Sequence, residues 1–374
     1  MTDNLEIKVH KKLYGLDHLR AFAIVLVFFF HYYIVSDGKP DWLPGVASFG
    51  WTGVDLFFVL SGFLISSQLF LQIKEGQLIS FKAFFIKRFF RIVPAFLATV
   101  GIYFCFPYFR EKESLPPIWK FLTFTQNFNL NLKDYGTFSH CWSLCVEEHF
   151  YLFLPLILIF LQTFKLFSKS FWLLIGLFVF GFAIRFYSFN QLYLPKISEE
   201  NSWMYWYKFI YYPTYNRLDG LLVGVSIAGI YQFLPNLWIK ISKYGNQFIV
   251  LSLCVLTGAY FLCDDLLTLR VAVFGFPLIA LGFGFMVVGS ISPTSFLYKM
   301  NSKITTFIAN LSFSIYLTHK GIIHTTHQLL KDFEIEHNVM LLICIITCVL
   351  GAYMLHLKIE KPFMKIRNKT IKEI

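Results

Sequence analysis

Charge is scarce in this sequence. Asp, Glu, Lys and Arg make up 15% of its 374 residues, where soluble domains run near about 25%. The scarcity holds along the whole length, which excludes a water-soluble domain of useful size. Cysteine is scarce too. The seven (Cys105, Cys141, Cys145, Cys254, Cys263, Cys344 and Cys348) all fall in or beside apolar runs, which excludes a disulfide framework as the organising device. No internal repeat, low-complexity tract or composition break divides the chain. The first apolar run has no small-residue cleavage site behind it and reads as an uncleaved anchor, not a signal peptide. The expected organisation is a single membrane unit over residues 1–374. Short basic cytoplasmic tails lie at about 1–12 and 359–374, and no appended soluble domain is expected.

What is abundant is apolar and aromatic: 56% of the chain is hydrophobic and 20% aromatic, with 46 Phe and 20 Tyr. Runs long enough to span a bilayer fall at about 16–35, 50–72, 83–108, 140–164, 171–189, 213–231, 247–263, 269–289, 304–326 and 339–358. The fold class is therefore all-α, a polytopic membrane bundle of about ten transmembrane helices. A net charge of +11 could suggest a nucleic-acid partner, but the basic residues alternate with the apolar runs. With the N-terminus taken as cytoplasmic, 18 of the 33 Lys and Arg flank the inner ends of the runs, Lys8, Lys11, Lys12, Lys165 and Lys243 among them. Only 8 lie in the outer loops. That is the positive-inside bias, with both termini cytoplasmic, and the partner it implies is the lipid bilayer. The longest connections, about 109–139 and 190–212, are both outside, and the second carries Trp203 and Trp206. Both are placed to cover an outward-facing cavity.

A charged side chain at mid-bilayer costs about 2.5–3.5 kcal/mol, so each needs a partner, a wet cavity or a function. Counting about 1.5 Å of rise per residue sorts them into two layers. The inner layer holds Asp17 and Arg20 in the first span, with Arg88 and Arg91 in the third. Arg88 and Arg91 sit three apart on one helix face. Their forked donors suit a phosphorylated ligand; snorkelling to lipid headgroups is the alternative. The outer layer holds His31, Asp55, Glu147, Glu148, Arg217, Asp219 and His319, all expected to converge on one polar cavity. His31, in AIVLVFFFHYY, is the candidate general base, because an imidazole titrates near neutral pH. Glu147 or Glu148 is expected to orient it. Arg217 and Asp219 read as a structural pair. His140, Cys141, Cys145 and His149 share a spacing that could recruit zinc, but no metalloprotease spacing is present and no metal is expected.

The segments LDHLRAFAIVLVFFFHYY, GVDLFFVLSGFLI, KRFFRIVPA, WSLCVEEHFYLFLP, NRLDGLLVG and SFSIYLTH occur in this order. Together they resemble acyltransferase family 3, the membrane-bound acyltransferases that modify extracytoplasmic carbohydrate. The resemblance covers nearly the whole chain and implies an integral protein of a bacterial cytoplasmic membrane. The activity it implies is transfer of an acyl group from cytoplasmic acyl-CoA, acetyl-CoA in the first instance, to a hydroxyl of a carbohydrate or lipid-linked glycan. Carried over position by position, it marks His31, Glu147 and Glu148 as catalytic and Arg20, Arg88 and Arg91 as donor-binding. The motif residues Ser61, Trp142 and Ser143 join Asp17, Asp55, Arg217, Asp219 and His319 as further candidates. His18 and His149 depart from the usual pattern. An acylated His31 stays open beside the general-base route, and a proton-coupled secondary transporter is the alternative from another class.

Overall fold

The computed structural model describes residues 13–36 and 38–372. Lys8, Lys11 and Lys12 of the expected basic tail lie outside the described residues. Ten long helices follow the expected runs: α1 (Tyr14–Val35), α2 (Gly53–Lys74), α3 (Phe81–Cys105), α4 (Trp142–Thr163), α5 (Ser170–Tyr187), α6 (Asp219–Phe233), α7 (Gly245–Leu262), α8 (Phe276–Ile291), α9 (Lys303–Leu330) and α10 (His337–Leu355). A shorter basic helix, α11 (Lys361–Lys372), continues from α10. Among the described residues there is no strand, as a bilayer requires of any open chain that cannot leave backbone groups unpaired. Eight of the helical segments are long and apolar enough to cross a membrane. The other two expected spans are α6, which has only 15 residues, and α9, whose 28 residues include His319, Lys320, His324 and His327.

Polar residues set the ends. Ser80 accepts a hydrogen bond from the Ala83 amide at the start of α3, and Ser302 accepts one from the Thr305 amide at the start of α9. Each satisfies an amide that the first helical turn leaves free. Pro94 lies inside α3, and the helix runs on through it.

Successive helices alternate in direction. His18 near the start of α1 bonds to Thr305 and to the Met300 carbonyl, and Gln162 at the end of α4 reaches the Gln77 carbonyl. At the opposite face Trp42 bonds to Asn338. The face where α1 begins is called here the N-terminal side, and its opposite the far side. α2 and α6 pack with their backbones in near contact. A Cβ on Gly62 would lie 2.2 Å from the Leu221 carbonyl oxygen, and one on Gly224 would lie 2.3 Å from that of Val59. Gly220 and Gly224 form a GxxxG face, the small-residue spacing that lets two membrane helices approach this closely.

The connection from α3 to α4 shapes the interior. Arg110 donates to the Tyr103 and Phe104 carbonyls at the end of α3. Phe109 fills the space left by Gly321 of α9. Glu111 then accepts from Lys320 at 2.9 Å and from the Phe138 amide at 3.0 Å. Phe138, in a left-handed conformation, turns the chain into the buried residues His140, Cys141 and Trp142. α4 therefore begins beside Tyr316, about 21 Å below the far end of α9 at about 1.5 Å per residue.

Candidate active site

A cavity of about 590 Å³ enters the bundle from the N-terminal side. Its mouth lies between α3 and α11, at Lys87, Arg88, Arg91, Arg367 and Asn368. It continues past Arg20, Ser61, Gln68 and Ser312 and ends at Ser143 and Tyr316. Five basic side chains and one carboxylate, Glu147, line it. The cations have few partners of their own. Arg88 donates to the Gln68 side-chain oxygen at 3.4 Å and lies over the Phe84 and Tyr151 rings, and its Nε is buried without a hydrogen bond. Arg20 meets Ser312 at 3.4 Å. Guanidiniums gathered in a cleft with donors unspent call for an anionic ligand, and their planar forks suit phosphate. Asp17 sits just below, beside Arg20, accepting from Thr306 at 3.2 Å.

Glu147 belongs to this cavity. Its carboxylate accepts from Ser61 at 2.8 Å and from Tyr151 at 3.1 Å and lies near Arg20 and Arg88. Glu148 turns away from it, in the neighbourhood of Arg88, with Oε1 buried and unbonded. Neither carboxylate is hydrogen-bonded to His31, where the sequence expectation would put one of them. The depth count places α4 at the membrane surface. In the structure its first residues are already deep, so Glu147 falls among the inner arginines.

The side-chain partner of His31 is His319. His31 Nδ1 lies 2.9 Å from His319 Nε2, and the His319 Nδ1 lies 2.9 Å from the carbonyls of both Ile315 and Tyr316. His140 completes the group, its ring centroid 5.6 Å from that of His31 and 5.0 Å from that of His319. The histidines stand next to the blind end of the cavity. His140 Nε2 donates to the Tyr316 carbonyl at 3.0 Å, while the Tyr316 hydroxyl meets Ser143 Oγ at 2.6 Å and the His140 carbonyl. Among the described residues no side chain bonds to His31 Nε2, which is the state a base or nucleophile requires.

Asp55, Arg217 and Asp219 do not converge on this centre. Arg217 pairs with Asp55 at 2.8 Å, and Asp219 pairs with Arg185 of α5 at 2.6 Å. The expected Arg217–Asp219 pair does not form, because residues two apart at the head of a helix point to different sides. The Arg217 guanidinium is enclosed by Trp142, Tyr211 and Phe276, with ring centroids 5.2, 4.5 and 4.0 Å away. Trp142 thus walls this ionic cluster off. The single polar cavity expected from the sequence is in fact three polar groups. Nor do His140, Cys141, Cys145 and His149 form a ligand set. Cys145 bonds back to the Cys141 carbonyl, and His149 bonds to Thr214. Among the described residues no group of three or more His, Cys, Asp or Glu is placed to hold a metal ion.

Sequence reasoning also passed over Tyr316, Lys320, Glu111 and Arg185. Lys320 and Arg185 carried a signal, a cation inside an apolar run. Tyr316 lay within the SFSIYLTH segment. Glu111, in a loop rich in charge, carried none.

The family model described as "Acyltransferase domain" matches residues 13–357. Among curated proteins, the chain is 29% identical over 374 residues to "Putative O-acetyltransferase SACOL0978" of Staphylococcus aureus (strain COL). That match covers 96% of this chain and 58% of the relative. It is 28% identical over 401 residues to "O-acetyltransferase OatA" of Staphylococcus aureus (strain NCTC 8325 / PS 47), covering 99% of this chain and 60% of that protein. The chain spans about three fifths of the length of these relatives. No solved structure matches.

Proposed function

The chain belongs to the acyltransferase family whose model it matches over residues 13–357, and from that premise we propose that it is an integral-membrane O-acyltransferase. The donor in this reading is acyl-CoA, acetyl-CoA in the first instance, and the acceptor is a hydroxyl of an extracytoplasmic or lipid-linked carbohydrate. The observation that carries the reading is the cation-lined cavity. It opens on the N-terminal side, with most of its cations there, and reaches inward to Ser143 and Tyr316, against the histidine group. A donor with a polyanionic head and a long thin arm suits that shape. Its phosphates would meet Arg88, Arg91, Lys87 and Arg367 at the mouth, with Arg20 deeper in. The arm would carry the thioester to the blind end.

His31 is the group assigned to chemistry. Its Nε2 takes the proton of the acceptor hydroxyl as the oxygen bonds to the thioester carbonyl carbon. The C–S bond then breaks, and the departing thiolate recovers the proton from the imidazolium. The net change is one ester for one thioester. The excess of Lys and Arg on the N-terminal side supports placing the donor mouth in the cytoplasm, and the histidines lie on the side from which an outside acceptor would arrive. The membrane assigned to the protein is the bacterial cytoplasmic membrane.

Mass spectrometry of cell-envelope glycans with and without the gene tests this reading. One carbohydrate fraction should lose a fixed acyl mass, and that mass should stay lost when His31→Ala is supplied at normal membrane levels. An unchanged acyl pattern in every fraction would overturn it.

A further inference from the structure

His319 has no exposed surface, and both of its ring nitrogens are engaged. Nδ1 lies against two backbone carbonyls, those of Ile315 and Tyr316. Carbonyls only accept, so Nδ1 carries the proton. A neutral imidazole has one N–H, which leaves Nε2 of His319 as a lone pair. The atom facing that lone pair is His31 Nδ1, at 2.9 Å. A hydrogen bond there needs a donor, and the His31 ring also bonds to the Val27 carbonyl one turn back, which only accepts, so His31 is protonated on Nδ1 and bare on Nε2.

His140 closes off the other possible arrangement. Its Nε2 donates to the same Tyr316 carbonyl that His319 Nδ1 approaches. Its Nδ1 is buried and unbonded. A bare nitrogen cannot give His31 a proton, so nothing on that side opposes the order set by His319. An imidazolium at His319 would reverse the order, but it would add a buried cation beside Lys320, whose one carboxylate partner is Glu111.

We propose that His319 is a positioning residue that holds His31 in its Nδ1–H tautomer, so that Nε2 is the nitrogen presented to the reacting hydroxyl. A neutral imidazole anchored on the α9 backbone here takes the orienting part that a carboxylate takes in a Ser-His-Asp triad. Its consequence for rate rests on the acyltransferase reading above; the tautomer itself is a property of the resting protein.

The full chain, labelled with ¹⁵N-histidine in lipid nanodiscs, reports the tautomer directly, with the His31 signals assigned by their loss in His31→Gln. We expect a protonated Nδ1 and an unprotonated Nε2 in the wild type. The same pattern is expected in His319→Gln, whose amide oxygen can accept at the place of Nε2. His319→Leu, with the Val27 carbonyl left as an acceptor, should move part of the His31 population to the Nε2–H tautomer. With acetyl-CoA as donor and release of free CoA as readout in membranes holding the native acceptor, His319→Leu should lower kcat by roughly three- to tenfold, in proportion to the share of His31 that leaves the Nδ1–H tautomer. KM for acetyl-CoA should stay within about twofold, and His319→Gln should recover most of the rate. A protonated Nε2 on wild-type His31, or a His319→Leu protein with the wild-type tautomer and kcat, would overturn the proposal. If His319→Leu does not fold, the wild-type and His319→Gln spectra decide it. If wild-type membranes release no CoA, the acyltransferase reading fails, and the tautomer spectra still decide this one.

Discussion

Tyr316 and His140 hold each other through two hydrogen bonds that run in opposite directions. The Tyr316 hydroxyl donates to the His140 carbonyl, and His140 Nε2 donates to the Tyr316 carbonyl. One pair of residues thus fixes the head of α4 to the middle of α9, closes the inner end of the cavity and sets the wall against which His31 and His319 stand.

Removing half of that bracket should be costly and local. Tyr316→Phe keeps the ring but leaves the buried His140 carbonyl and Ser143 Oγ without the hydroxyl. An unmet buried polar group costs about 1–3 kcal/mol. The expected outcome is a folded protein with a lower unfolding midpoint in detergent and a reduced rate of acyl transfer, both measured on the same preparation. A midpoint equal to the wild type would mean that the bracket contributes no stability.

The arginines at the cavity mouth should act on donor binding and not on chemistry. Charge-assisted hydrogen bonds contribute about 1.5–3 kcal/mol each, so Arg88→Gln should raise KM for acetyl-CoA by about tenfold or more and leave kcat nearly unchanged. The penalty should disappear when the donor is acetyl-pantetheine, which lacks the nucleotide phosphates. A kcat defect that persists with the truncated donor would place Arg88 elsewhere in the reaction.

Asp55 should behave as a structural residue. Asp55→Ala strands Arg217 in its aromatic enclosure without a counter-charge, and breaking one side of a buried ion pair costs about 3–5 kcal/mol. Fluorescence-detected size exclusion after graded heating should show a large loss of folded protein. The molecules that stay folded should bind CoA as the wild type does. A heat profile matching the wild type would remove Asp55 from the list of structural residues.

Much of this arrangement is legible in the sequence. Each of the ten helices overlaps an apolar run, because burial in lipid leaves a long helix as the one open solution for the backbone. Arg20, Arg88 and Arg91, which the sequence puts at one depth, do line one cavity, since their depths follow from helices that start near one membrane face. Glu147 was misplaced for the opposite reason. Its helix starts deep inside the bundle, held there by Glu111, Lys320 and His140, and nothing in the local pattern of WSLCVEEHF records where a helix begins. The His31–His319 contact joins residues 288 positions apart. Periodicity can give each one a depth but not a neighbour. The exchange of partners among Asp55, Arg185, Arg217 and Asp219 is invisible for the same reason.

Glu147 separates the two readings most sharply. If it oriented His31, Glu147→Gln would disturb the His31 tautomer and leave donor affinity alone. In the structure its carboxylate bonds to Ser61 and Tyr151 and is the one anionic group lining a cavity with five cations. Neutralising it therefore removes a repulsion toward any polyanionic donor. At the spacing of a cavity wall, one charge is worth about 1 kcal/mol in a wet site, which corresponds to a few-fold change in affinity. Glu147→Gln should bind CoA a few-fold more tightly by calorimetry, and the ¹⁵N signals of His31 should not move. Unchanged CoA affinity together with a shifted His31 tautomer would return Glu147 to the side of the imidazole.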